Sequence, residues 1–342
     1  MAKRSKLAAV LDETADQPAV RALMASVAAG GAIAAGKVVS NRVAKRGQRK
    51  RRRYRLEPGE APIEGVGRIA RGQLDLTIGL LHGDDRDGDG QPIHDARKAL
   101  KRIRALLRIS RGLLGDKRYR RENTILRDAG RSLSDARDAQ VLLATLDDLA
   151  KQVADQVPQG TWSRFREALA AELSAASETD GDSAGVVGAL SEARSRVTTW
   201  PPAHKGDYES LADGLKRIYG RGRRAARVAK DQPSTENLHE LRKRAKELWY
   251  AAQLLRTASP QRMKRLARRA HRLSDLLGDD HDLSVLLDRA HAQPGLLRPG
   301  ELELLEGLIE RRREVLRRAA LARAARLYRR KPRKFVRRLA PA

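Results

Sequence analysis

The sequence predicts an all-α protein, and three observations carry that expectation. From about Glu64 onward apolar residues recur three and four positions apart, the period of a helix face, and alternating β-branched runs are absent. Stretches such as "TTWPPAHKGD" place prolines where a helix has to break. A histidine-led segment rich in Lys and Arg occurs twice, as "IHDARKALKRIRALL" (93–107) and "LHELRKRAKELWYAAQLL" (238–255), so the helical body reads as two copies of one unit.

Taken in chain order, residues 1–60 read as a basic appendage. They hold 14 basic and 5 acidic residues, and within them "AKRGQRKRRRYR" is the self-repelling kind of block expected of a flexible, anion-binding arm. The run Ala22–Gly36 is apolar but too short and too rich in Ala and Gly for a membrane span, and the acidic Asp12, Glu13 and Asp16 before it suit a signal peptide poorly. The body occupies 61–342, with a first half at about 61–190 and a second at about 203–342. "VGRIARGQLDLTIGLL" opens it as a helix, and "GDDRDGDGQP" (83–92) is a turn into the first histidine segment. That turn has Asp85, Asp87, Asp89 and Gly90 at the spacing of a calcium loop. Ala96 stands where the closing bidentate Glu is required, so it reads as a solvated acidic turn. "SETDGDSAGVVG" (177–188) and the prolines after Trp200 mark a loop-rich joint. Pro233, Ser234 as cap and Glu236 in the first turn then start the second histidine helix.

The two segments align at a shift of 145 residues: His94 on His239, Arg97 on Arg242, Lys98 on Lys243, Lys101 on Lys246. Further along, "SDARDAQVLL" and "GDDHDLSVLL" pair Asp138 with Asp282 at a shift of 144. On a helix of about 3.6 residues per turn, His94, Arg97, Lys98, Lys101, Arg104 and Arg108 share one side, and Ala96, Leu100, Ile103 and Leu107 the other. In the second copy His239, Arg242, Lys243 and Lys246 oppose Leu241, Ala245, Leu248, Ala252 and Leu255. Like charges three and four apart cost helix stability, and these stripes contain no acid, which points to an anionic partner. A second basic helix follows each copy: Arg120, Arg127 and Arg131 in the first, Arg265, Arg268 and Arg272 in the second.

Net charge is +28, with 71 Lys or Arg against 43 Asp or Glu, which calls for an extended anion such as a nucleic acid, a polyphosphate or an acidic membrane face. Aromatics are 3% of residues, too few for the stacking platforms of single-strand readers. Cysteine is absent, which excludes disulfides and thiolate metal sites and is compatible with a reducing cytosol. His94 and His239 sit among cations that repel a metal ion, so a bond to phosphate oxygen or to the helix start suits them better than metal ligation. Asp138 and Asp282 read as caps or salt-bridge partners. No nucleophile–base pair, phosphate-binding glycine loop or carboxylate cage is legible, so neither enzymatic activity nor a cofactor is expected.

With these residues in hand, the chain resembles the CHAD family, the conserved-histidine α-helical domain. The resemblance rests on the two histidine segments, the "RDAQVLL" and "HDLSVLL" blocks and the mid-chain "WPP", and runs from about residue 62 to "PRKFVRRL". It implies two pseudo-symmetric helical bundles with a basic groove or pore between them. It also implies binding of inorganic polyphosphate and a cytoplasmic place at polyphosphate granules. By position it implies roles in that binding for His94, Arg97, Lys98, Lys101, His239, Arg242, Lys243 and Lys246. The Glu-x-Glu-x-Lys strand of the triphosphatase domain fused to some relatives is absent, so the chain resembles the stand-alone form. Trp249 replaces the first copy's Arg104, so the copies contribute unequal charge. The alternative is a nucleoid-associated protein that binds nucleic acid; in the polyphosphate reading nucleic acid is a weaker or competing polyanion.

Overall fold

The computed structural model describes residues 54–83, 92–133, 135–155, 157–158, 160–178, 183–204 and 206–339. The apolar run Ala22–Gly36, the calcium-like turn and the side chain of Asp138 lie outside what it describes, as does the arm up to residue 53. The described residues form twelve α-helices and two 3₁₀ turns, with no strand among them. No helix among them is long and apolar enough to cross a membrane.

The helices are α1 Pro62–Leu81, α2 Pro92–Ile109, α3 Arg111–Leu114, α4 Asp116–Ser132, α5 Asp135–Gln152 and α6 Ser163–Glu178. They continue with α7 Ser183–Arg196, α8 Asp207–Asp231, α9 Thr235–Leu254, α10 Pro260–Ala292, α11 Pro299–Leu327 and α12 Pro332–Arg337. Their starts follow local chemistry. Pro opens α1, α10, α11 and α12, where its missing N–H is no loss. The Ser234 hydroxyl caps α9 by accepting from the Asn237 N–H at 3.3 Å, as its sequence implies. "SAGVVG", read from sequence as loop, begins α7 instead. The histidine segments occupy α2 and α9, and the stripes assigned to the interior are buried: Ala96, Leu100, Ile103 and Leu107 on α2, and Leu241, Ala245, Leu248 and Ala252 on α9.

Two hydrophobic cores result, and they do not divide by sequence copy. The larger combines α1, α2 and α4 with α8, α9 and the first half of α10, through residues such as Ile69, Leu106, Ile218, Leu248 and Leu273. The smaller combines α5 and α6 with the second half of α10 and the first half of α11, through Leu146, Phe165, Leu286 and Ile309. The cause is helix length. Helix α10 has 33 residues, about 50 Å, and pairs with α11. Both therefore run from one core into the other, and Leu276 packs against each. The body also begins before residue 60. Tyr54 and Leu56 are buried, the Tyr54 hydroxyl donating to the Arg102 carbonyl at 2.9 Å and the Leu56 N–H to the Leu254 carbonyl at 3.1 Å. Tyr54 sits at the end of the basic block and Leu56 just after it, and packing claims both.

Helices α2 and α9 pack against each other, and α8 packs on both. The approach of α8 to the end of α2 depends on Gly214, where a Cβ would lie 2.0 Å from the Ile109 carbonyl oxygen.

Candidate functional site

Between the histidine helices lies a cleft of about 680 Å³. Helix α2 contributes Arg97, Lys101, Arg104 and Arg108 to its wall, and α9 contributes His239, Arg242, Lys243 and Lys246. These are eight of the residues singled out from sequence. The wall also holds Arg244, Tyr250, His281 and three acids, Glu240, Glu247 and Asp282. Eight Lys or Arg against three acids leave a strong cationic excess around one volume.

The remaining candidates lie elsewhere. His94 and Lys98 are half-buried on α2 but do not line the cleft, and Lys98 lies 4.0 Å from Asp95. Arg120 pairs with Asp116 at 3.7 Å and Arg127 with Asp128 at 2.8 Å. Arg131, Arg265, Arg268 and Arg272 are exposed outside the cleft. An amphipathic pattern separates buried from solvated faces, and it does not say which solvated face lines a concavity.

The acids correct the expectation of an acid-free site. Glu247 is buried at 7% exposure, and three arginines from three helices converge on its carboxylate. Arg108 Nε lies 3.2 Å from one oxygen and Arg221 Nη2 3.2 Å from the other, and Arg244 Nη1 donates to both at 2.9 and 3.0 Å. Arg244 Nε also donates to Glu240 at 2.7 Å. The spacing Glu240, Arg244, Glu247 is a local helical signal that sequence offered. Arg108 and Arg221 lie 139 and 26 residues from Glu247, which no local pattern reports. Burial, then the neighbouring Arg108 and Arg127 charges, push the Arg104 pKa down to about 10.

At the other end of α9, one face of α10 supplies the partners. Arg242 lies 3.7 Å from Asp282, and its guanidinium rests against Gly278, where a Cβ would approach it to 3.2 Å. Asp282 is thus the salt-bridge partner its position implies. The His239 ring centre is 4.6 Å from that of His281. Burial, His281, Lys243 and Arg242 lower the His239 pKa to about 4, so its imidazole is neutral at pH 7. Among the described residues no three His, Asp or Glu side chains converge as a metal cage requires. Trp249 stacks on Tyr250 at 4.8 Å and meets His271 at 3.9 Å, so where the first copy presents Arg104 the second packs an aromatic ring.

The arrangement can hold a linear polyanion through guanidinium forks and ammonium point charges from two facing helices. No curated protein sequence matches the chain. The family profile of the CHAD domain matches residues 68–291, more than half of the chain and all of both histidine helices. The chain therefore belongs to the CHAD-domain family.

Proposed function

We propose that the protein binds inorganic polyphosphate in the cleft between α2 and α9 and does no chemistry on it. One observation carries this reading: both copies of the histidine segment contribute cations to one concave site. A concave site fits a thin single chain, whereas duplex DNA calls for a convex stripe laid along a groove. The aromatic groups at the cleft pack on one another rather than facing out as base-stacking platforms, since Tyr250 is 5% exposed and covered by Trp249. Glu240 and Glu247, which could otherwise act as bases, are bonded by arginines. Association with polyphosphate granules follows from the same affinity.

The test is a competition titration with labelled long-chain polyphosphate bound and duplex DNA, RNA and ATP as competitors. Polyphosphate should resist all three, and binding should weaken steeply with salt. Displacement by duplex DNA at equal phosphate concentration overturns the reading in favour of nucleic acid. Chain-length analysis after long incubation with Mg²⁺ or Mn²⁺ should show unchanged polyphosphate; turnover overturns the non-enzymatic part.

A further inference from the structure

A second cavity, of about 370 Å³, shares Arg108 with the cleft. Its wall is Arg108, Arg111, Tyr119, Arg217, Arg221 and Arg224, five guanidiniums around one small volume. Apart from Arg108, none belongs to the histidine segments or to the basic stripes that follow them.

Three of these arginines lie on α8 at positions i, i+4 and i+7, where like charges repel along the helix. Arg221 is held by Glu247, and Arg111 is bonded to Asp116 at 2.7 Å. Arg217 and Arg224 are exposed, and the nearest acids that act on Arg217, Asp116 and Asp213, are bonded to Arg111 and Lys216. A solvated basic face is the ordinary reading of such a stripe, but here it rims a concavity. Gly220 sits in that rim, where a Cβ would lie 3.5 Å from the Pro332 ring. Burial lowers the Arg221 pKa, the Glu247 carboxylate opposes that shift, and the nearby Arg244 and Arg108 charges add to it.

The two cavities meet at one junction. Arg108 belongs to both walls, and it and Arg221 each grip the Glu247 carboxylate at 3.2 Å. From Arg97 to Arg108 the first wall runs about 16 Å along α2, and from Arg217 to Arg224 the second runs about 10 Å along α8. A short anion satisfied by the cleft does not reach the second set; a longer one crossing at Arg108 does. We propose that the second cavity is an extension subsite for the same polyanion, so that the protein reads chain length. This rests on the reading of the cleft as a polyphosphate site.

The experiment compares the full chain with an Arg217→Ala/Arg224→Ala variant, using tripolyphosphate and long-chain polyphosphate as probes. Both residues are exposed, so the variant should keep its helical circular dichroism and its melting temperature. Expected is a loss of roughly tenfold or more in affinity for the long chain, with tripolyphosphate affinity unchanged within about twofold. The slope of log affinity against log salt should become shallower by about 1.4 for the long chain only, two contacts at about 0.7 each. Equal weakening for both probes, or no weakening for either, overturns the subsite and leaves the cleft reading standing. Failure of the unaltered protein to bind either probe overturns both.

Discussion

Glu247→Gln is the most informative single change, because stability and binding should move in opposite directions. The substitution keeps the shape of the side chain and removes its charge. It leaves Arg108, Arg221 and Arg244 without their shared carboxylate, and replaces one acceptor oxygen by an amide that donates towards donors. Breaking a buried ion pair from one side costs about 3–5 kcal/mol. The side chains of Arg108 and Arg244 are 19% and 22% exposed, and that of Arg221 is 40% exposed and better screened, so the lower end applies, about 3 kcal/mol. For a body of this size that corresponds to a fall in melting temperature of roughly 5 °C. Polyphosphate should then stabilise the variant more than it stabilises the native protein, since the ligand supplies the missing negative charge to the same arginines. Differential scanning fluorimetry at fixed salt, with and without long-chain polyphosphate, measures both. A fall below about 2 °C would show that Glu247 does not hold the arginines. A ligand-induced rise no larger than the native one would show that those arginines do not meet the ligand.

Three further outcomes are expected. Lys101→Glu and Lys246→Glu should each weaken polyphosphate binding at least roughly tenfold, and the double variant should depart from additivity because both line one site; Lys98→Glu, outside the cleft, should change it by less than about threefold, all by titration calorimetry. His239 has a folded pKa of about 4 against an ordinary value of about 6.5, so the unfolded chain takes up its proton first as pH falls. That share of stability is complete above about pH 6.5 and is lost progressively towards pH 4; urea denaturation across this range should show a shallower acid loss in His239→Gln, and equal slopes would refute the burial of a neutral imidazole. Gly214→Ala should cost about 3 kcal/mol in the same denaturation assay, because its Cβ meets a backbone carbonyl rather than a movable side chain, and a change under about 1 kcal/mol would mean that α2 and α8 can part freely.

Legibility in the sequence followed the range of the interaction. The all-helical architecture, the Ser234 cap and the buried stripes of α2 and α9 all rest on residues within a few turns of one another, and each is legible in local residue type and spacing. The repeat put Arg97 and Lys101 in correspondence with Arg242 and Lys246, and these do share a cleft. Arg120, Arg127 and Arg131, and likewise Arg265, Arg268 and Arg272, show the same amphipathic signal yet lie outside it, because periodicity fixes that a side chain is solvated and not what surface surrounds it. The arginine-lined cavity on α8 was missed for the complementary reason. Arg217, Arg221 and Arg224 line that cavity together with Arg108 and Arg111, more than 100 positions earlier.

The two copies of the segment have also become chemically unequal. Helix α2 puts cations alone into the cleft: Arg97, Lys101, Arg104 and Arg108. Helix α9 puts in cations together with Glu240 and Glu247, and packs Trp249 where its counterpart presents Arg104. Cations crowded into one concavity repel each other, and each lost rotamer adds to the cost of gripping a ligand. Carboxylates on α9 relieve both. They neutralise part of the repulsion before a ligand arrives, and they hold Arg108 from α2 and Arg221 from α8 in place by bonds of 3.2 Å. A site built from two identical basic helices would attract polyanions more strongly but would have to be ordered by them. Here α9 supplies counter-ion and cation together, and α2 supplies cations alone.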